Sequence, residues 1–148
     1  MSARLPSSAI PEPWARQSDS PVMKWLYAAT GSVEQALAYS DLFWPEFVEH
    51  EGCVFMERAA DSFRGWSEPL GDPSKVEAML NHRQVCDLFE WESSHNMMIG
   101  LGRVLRDAWT LKLARDFPER RFAVELYDTP SENPTDYQIT FYQVPKDI

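Results

Sequence analysis

The sequence predicts an α+β fold, with helices packed on one face of a small antiparallel sheet that includes a C-terminal β-hairpin. A stretch from about residue 96 to 117 has the amphipathic period of a helix. Segments 121–127 and 136–144 alternate apolar and polar residues and are separated by turn-forming residues, which is typical of a hairpin. Aromatic residues make up 13% of the 148 residues, so we expect a core that needs neither a disulfide nor a metal.

The first 21 residues are predicted to form a loosely ordered N-terminal arm, followed by a single α+β domain over residues 22–148. The arm contains four prolines and no apolar run long enough for a secretory signal. Trp14 is the residue expected to pack and hold it.

The next segment is predicted to be helical up to about residue 48. A short helix over residues 22–29 is stopped by Gly31, and Ser32 with Gln35 forms a capping box for the following helix. Pro45 interrupts that helix, so we expect a break near Ser40 and Asp41 and then a second helical piece through Val48. Gly52 is expected to end this piece. Residues 53–56 then read as a short strand, and residues 58–72 as a loop.

Two longer helices are predicted in the second half of the chain. Asp72 and Pro73 start one that we expect to run to about Trp91. The second runs over about residues 96–117 and is closed by Pro118. Its expected core-facing stripe is Met97, Leu101, Val104, Ala108 and Leu111, widened by Leu105 and Trp109. The strand around Val54 is expected to join the C-terminal hairpin as a third strand.

The charge of the chain argues against nucleic-acid binding. The formal net charge is −9 and the pI is about 4.7, so a duplex repels most of the surface. Residues 103–121 carry six basic residues against three acids, but the basic side chains point in several directions around the predicted helix. Residues 41–57 carry five acids and neither lysine nor arginine, which favours a basic partner.

The main functional hypothesis is therefore a small acidic protein-interaction module, similar in role to an inhibitor or an adaptor. Acidic side chains would surround aromatic anchors and bind a basic protein. Replacing Glu46, Glu49 and Glu51 by lysine should abolish partner capture without unfolding the domain. The residues assigned to this surface are Glu46, Glu49, Glu51, Glu57, Trp44 and Trp66.

The alternative hypothesis is a small zinc protein or hydrolase. Two histidines and two cysteines suit tetrahedral zinc, although their spacing does not match a known finger pattern. No cofactor is expected in the main hypothesis, and zinc belongs to the alternative. The residues assigned to the alternative are His50, Cys53, His82 and Cys86.

Other catalytic motifs fail on spacing or context, so we do not expect an enzyme. Gly100 and Gly102 lie inside a predicted helix rather than after a strand, and are better explained by close helix packing than by a dinucleotide site. Ser93 and Ser94 beside His95 do not make a triad, because triads are assembled from distant segments.

The sequence also predicts a cytoplasmic protein that does not enter a membrane. The apolar runs are far shorter than the roughly 20 residues that span a bilayer. The two cysteines are expected to stay unpaired in a reducing compartment. Homodimerisation through the segment from Phe43 to Phe47 is left open.

Overall fold

The computed structural model describes residues 29–56, 71–88, 95–129 and 132–145. The described residues form four helices, five strands and one 3-10 turn, so the predicted α+β class with a C-terminal hairpin is confirmed. The predicted arm over residues 1–21, and nearly all of the predicted helix over residues 22–29 and of the predicted loop over residues 58–72, lie outside them. In chain order the elements are α1 (Val33–Phe43), β1 (Phe47–His50), β2 (Cys53–Met56), α2 (Pro73–Leu80), β3 (Arg83–Gln84), α3 (Val85–Leu88), α4 (His95–Asp116), β4 (Phe122–Tyr127), the 3-10 turn (Pro134–Asp136) and β5 (Gln138–Gln143).

Helix α1 begins with the predicted capping box. The Ser32 hydroxyl accepts a hydrogen bond from the Gln35 N–H at 3.0 Å, and the Gln35 side chain accepts one from the Ser32 N–H at 3.3 Å. The helix ends at Phe43, and the Trp44 N–H donates to the Ser40 carbonyl at 2.8 Å. The helix runs through Ser40 and Asp41 without the break expected there. The helical continuation through Val48 predicted from the sequence is also wrong, because the chain after Pro45 enters strand β1.

Strands β1 and β2 form an antiparallel hairpin with a two-residue turn. His50 pairs with Cys53, and the register continues to Phe47 opposite Met56. Glu51 and Gly52, the two turn residues, have φ values of 49° and 82°. Positive φ at both positions is the pattern of a type I′ turn, whose twist matches that of the flanking strands. The sequence indicated a helix end at Gly52, where the structure has a hairpin turn.

Helix α2 starts as predicted, with the Asp72 side chain accepting from the Ser74 N–H at 2.9 Å and proline in the first turn. It ends at Leu80 rather than at Trp91. Asn81 leaves the helix with its side-chain amide directed at strand backbones, and β3 follows directly. A helix that ran on to Trp91 would have placed Met79, His82 and Cys86 on one face, so these three residues do not share a helical face.

Helix α4 confirms the long predicted helix and buries Leu105 and Trp109 as expected, but the rest of its buried stripe is different. Leu111, expected in the core, is 65% exposed. Gly102 faces β4 so closely that a Cβ atom on it would lie 2.8 Å from Leu126 Cδ1. This glycine therefore allows the close packing predicted for it, against a strand. The buried stripe is Met98, Gly102, Leu105, Trp109 and Leu113.

Strand β5 is the centre of a three-stranded antiparallel sheet with the order β3-β5-β4. The β4–β5 hairpin is the predicted one. The expected third strand is wrong, however, because β3 takes that place and β2 pairs with β1. Helix α4 covers one face of the sheet, where Trp109 meets Phe141 edge-on with ring centroids 5.8 Å apart.

Helix α1 packs against the same hydrophobic core, through the residues at its C-terminal end. The Trp109 indole N–H donates to the Leu42 carbonyl at 2.9 Å, and Leu42 and Phe43 pack against the cluster around Trp109. In the ranges that the structure describes, none of the helices has the length and apolar content needed to cross a lipid bilayer.

Candidate functional site

Two buried polar side chains of α2 hold the hairpin against the three-stranded sheet. The first is Glu77, which is 1% exposed. One of its carboxylate oxygens accepts from the Val54 N–H at 2.8 Å and from the Gln143 side chain at 2.9 Å. The other accepts from the Gln143 N–H at 3.2 Å. These three donors replace the water that a buried carboxylate loses.

The second is Asn81, four residues later and fully buried. Its carbonyl oxygen accepts from the Met56 N–H at 3.2 Å. Its amide nitrogen donates to the Val54 carbonyl at 3.0 Å and to the Phe141 carbonyl at 3.3 Å. Strands β2 and β5 are thus joined by side chains of α2 rather than by a backbone ladder. We call the outward backbone groups of Val54 and Met56 the closed edge of the hairpin.

Strand β1 forms the opposite edge. In a two-residue hairpin the closing pair exchanges backbone hydrogen bonds, and every second pair after it does the same. These are the pairs His50–Cys53 and Val48–Phe55, so the N–H and C=O groups of Phe47 and Glu49 point away from β2. No described residue hydrogen-bonds to these four groups. We call them the open edge.

Exposed acidic and apolar side chains surround the open edge. Trp44 is 41% exposed and Val48 is 37% exposed. Glu46, Glu49 and Glu51 are also exposed. Together, these five side chains are called the β1 surface. It contains four of the six residues assigned from the sequence to the partner-binding surface, and the other two, Glu57 and Trp66, lie outside the described residues.

Basic side chains from the end of α4 and the following turn reach the β1 surface. Arg120 forms an ion pair with Glu49 at 2.9 Å. The Lys112 ammonium lies 5.9 Å from the centre of the Trp44 ring and forms an ion pair with Asp116. Such cation–π contacts help to fix the indole in place.

The acidic character of the β1 surface therefore depends on two residues. Glu46 and Glu51 form no ion pair with any described residue, whereas Glu49 is matched by Arg120. The sequence showed the acids but not this pairing, since the basic residues follow them by more than 60 positions. A local sequence pattern cannot show that acidic and basic residues so far apart in the chain lie close together in the fold.

The four residues assigned to zinc are only partly brought together. His50 and Cys53 face each other at the end of the hairpin. Cys53 packs in a cluster with Val76 and Leu80, while Cys86 belongs to a separate cluster around Met98 and Tyr137. Within the described ranges, no group of three or more His, Cys, Asp or Glu side chains is arranged to hold a metal ion. The zinc hypothesis stays a prediction.

The fourth residue assigned to zinc, His82, forms a hydrogen bond with Gln138 of the three-stranded sheet. Its Nε2 lies 2.7 Å from the Gln138 side-chain oxygen, and the Gln138 amide nitrogen donates to the Thr135 carbonyl at 3.1 Å. Because the glutamine donates on its other side, its oxygen accepts from His82, which places a proton on Nε2. The imidazole has a structural partner in this arrangement.

Burial disfavours the thiolate form of both cysteines. Burial raises the pKa of Cys53 to about 11, with a further contribution from the negative charges of Glu77 and Glu51 that Arg120 partly opposes. Burial also raises the pKa of Cys86, and Asp87 adds to the effect. The thiolate is the reactive and metal-binding form, and these shifts favour the protonated thiol in both side chains.

A second polar cluster lies on the β4–β5 hairpin. The Glu125 carboxylate accepts from the Tyr142 hydroxyl and, through its other oxygen, from the Tyr127 hydroxyl at 3.1 Å. These hydrogen bonds raise the pKa of both tyrosines. The Tyr142 contact links the neighbouring strands β4 and β5, as such pairs do in many sheets, whereas Tyr127 and Glu125 lie on the same strand, β4.

A histidine lies beside the buried Tyr137 at the start of α4. The His95 Nδ1 lies 3.2 Å from the Tyr137 hydroxyl, and the two rings meet edge-on with centroids 5.4 Å apart. Tyr137 is 1% exposed. This pair ties the first turn of α4 to the segment before β5.

No protein-family model, curated protein or solved structure matches the chain. What the protein binds is therefore inferred from the chemistry of its own surface.

Proposed function

We propose that the protein is a small interaction module, inhibitor-like or adaptor-like in role, that binds a basic protein partner through the β1 surface. The observation that supports this proposal is a pair of exposed acids, Glu46 and Glu51, that form no ion pair with any described residue. They lie on either side of a strand whose outward backbone groups also have no hydrogen-bond partner among the described residues. The proposal includes a cytoplasmic location, since Cys53 and Cys86 are free thiols buried in separate clusters.

The charges and the aromatic residue of the β1 surface would contribute in different ways. Exposed acids at the rim of an interface mainly accelerate association with a basic partner and fix its orientation. Trp44 supplies apolar area, and tryptophan is over-represented among residues that dominate binding energy. Its ring is already positioned by Lys112 and Arg115, with the Arg115 guanidinium 6.0 Å from its centre. Little side-chain entropy is then lost on binding.

A pull-down with a matched charge control tests the proposal. The test variant is Glu46→Lys with Glu51→Lys, which leaves the Glu49–Arg120 ion pair intact. The control is Asp87→Lys with Glu132→Lys, because both residues are exposed and the change in net charge is the same. Tagged wild type, test variant and control are incubated with lysate of the source cell at moderate salt.

The expected result is one basic partner that binds wild type and control equally, and the test variant about tenfold more weakly. Equal capture by all three proteins would contradict the proposal. Loss of capture in both variants would also contradict it, because net charge rather than the β1 surface would then govern binding.

A further inference from the structure

We propose that the partner contributes an extended basic segment that adds to the hairpin as a third strand, paired with the open edge of β1. This inference rests on the proposed function, since it specifies how the basic partner is held. It concerns the backbone of β1, whereas the proposed function concerns the acidic side chains around it.

The backbone of β1 has the hydrogen-bonding groups that strand addition needs. Phe47 and Glu49 direct two N–H and two C=O groups outward, and no described residue satisfies them. The side chain of Phe47 is anchored in the core, 5.2 Å from the Phe141 ring and edge-on to it. The strand is therefore held in a fixed extended shape, so an incoming strand would not have to order it. Main-chain hydrogen bonds then supply affinity, and side chains supply specificity.

The side chains around the open edge select the occupant. Glu46 precedes β1 and Glu51 follows it, while the partly exposed Val48 lies between them. An extended segment that pairs with β1 would place basic side chains near its ends and an apolar side chain against Val48. Opposite charges on neighbouring strands stabilise a sheet.

A second copy of this chain is a poor occupant for the same reason. Pairing of β1 with β1 of another copy would bring the two sets of acids together, and each copy has a formal net charge of −9. Like charges on directly opposed strands destabilise a sheet. The aromatic contact predicted from the sequence for a homodimer is also weakened, because Phe43 and Phe47 pack against the core.

Charged residues on an edge strand can also serve only to prevent aggregation. That explanation and strand addition differ in what happens to the open edge when a basic peptide is present. A capped peptide of eight residues with lysines at both ends and valines between them is a suitable probe, since its ends are basic and its valines have a high strand propensity.

The experiment combines a nuclear magnetic resonance titration of the labelled protein with amide hydrogen exchange. The expected result is that saturable peptide binding slows exchange of the Phe47 and Glu49 amides about tenfold or more, as formation of hydrogen bonds requires. The amides of Val54 and Met56 should exchange slowly both with and without the peptide.

A pair of variants at one position separates backbone pairing from charge. Glu49→Gln removes the charge and keeps the N–H, so it sets the baseline. Glu49→Pro removes the same charge and the outward N–H, and proline is tolerated where the N–H of an edge strand faces solvent. The proline variant should bind the peptide about tenfold more weakly than the glutamine variant. Slow exchange at Val54 and Met56 shows that its hairpin is intact. If the hairpin of the proline variant is not intact, the exchange measurement on the wild type decides whether the peptide adds as a strand.

Peptide binding without protection of Phe47 and Glu49 would overturn strand addition and leave the proposed function standing, as would equal binding by the two variants at position 49. Failure of the peptide to bind at millimolar concentration would also overturn it, and the pull-down then decides the proposed function separately.

Protection of both amides in the free monomer would mean that another segment of this chain covers the edge. Protection that grows with protein concentration would identify a second copy. Either result overturns the inference.

Discussion

The two edges of the β1–β2 hairpin carry the same kind of backbone groups and are treated in opposite ways. At the closed edge, the outward N–H and C=O groups of Val54 and the outward N–H of Met56 bond to the buried side chains of Glu77 and Asn81. At the open edge, the equivalent groups of Phe47 and Glu49 face outward beside exposed acids. At the closed edge, other parts of the fold complete the hydrogen bonding of the strand, whereas at the open edge no described residue does so.

Burial accounts for the difference between the edges. Val54 is fully buried, so each of its backbone groups would cost free energy if it lost its partner. Glu49 is exposed, and water can satisfy its backbone. An edge that water can reach remains available for binding without a loss of stability.

The largest expected difference between the edges is in hydrogen exchange of the free protein. The Val54 and Met56 amides should exchange only through large openings, whose free energy approaches that of global unfolding, about 5–15 kcal/mol. The Phe47 and Glu49 amides should exchange with an opening free energy near zero. Amide exchange followed by nuclear magnetic resonance measures both, and similar protection at the four positions would remove the distinction.

Removing the buried carboxylate should destabilise the closed edge. Glu77→Ala leaves the N–H groups of Val54 and Gln143 without an acceptor, and we expect a loss of about 2–6 kcal/mol in the free energy of unfolding, at about 1–3 kcal/mol for each group. Glu77→Gln keeps one acceptor oxygen and should cost less. Urea unfolding of both variants measures the losses. A Glu77→Ala protein as stable as wild type would mean that α2 does not hold the hairpin through this side chain.

The thiol beside the closed edge should make stability depend on alkaline pH. The pKa of Cys53 is raised from 9.0 to about 11 in the folded protein, so the unfolded chain loses this proton first as pH rises. The free energy of unfolding should therefore be unaffected below pH 9 and fall by about 2–3 kcal/mol between roughly pH 9 and 11. Urea unfolding at a series of pH values measures this slope.

Cys53→Ala is the control for that pH dependence. Tyr127 and Tyr142 also have raised pKa values and give a decrease of the same sign at high pH. The variant should keep the tyrosine contribution and lose the cysteine contribution. An unchanged slope in the variant would show that the thiol is not responsible.

The smallest expected effect is at the open edge itself. Glu49→Gln removes an ion pair with Arg120 whose side chains are 48% and 29% exposed, so the free energy of unfolding should change by less than about 1 kcal/mol. Thermal unfolding at low and high salt measures it, and the difference from wild type should vanish at high salt. A loss comparable to that of Glu77→Ala would show that the two edges are equally structural.

The elements that could be predicted from the sequence are those with long or self-contained patterns. Helix α4 has 22 residues, so its period identifies it even though several apolar faces compete. The buried face could not be chosen, since the approach of Leu126 to Gly102 comes from another part of the chain. The capping box of α1 depends on two residues three apart and was correctly predicted.

The short elements could not be predicted because tertiary contacts fix them. Strand β1 has four residues, too few to distinguish alternation from a helical repeat. Helix α2 ends just before Asn81, whose side chain hydrogen-bonds to backbone groups of β2 and β5. Both strands are distant from α2 in sequence. The acids of the β1 surface were predicted from composition alone, whereas the neutralisation of Glu49 by Arg120 required the folded arrangement.

The position of Gln143 in the hydrogen-bonding network of Glu77 has a consequence for synthesis on the ribosome. Two of the three donors to that carboxylate belong to Gln143, in the strand at the centre of the three-stranded sheet. The polypeptide between Met56 and Gln143 takes roughly 4–17 seconds to translate at typical elongation rates. During that interval the nascent hairpin lacks its final neighbour, and both of its edges are available to chaperones.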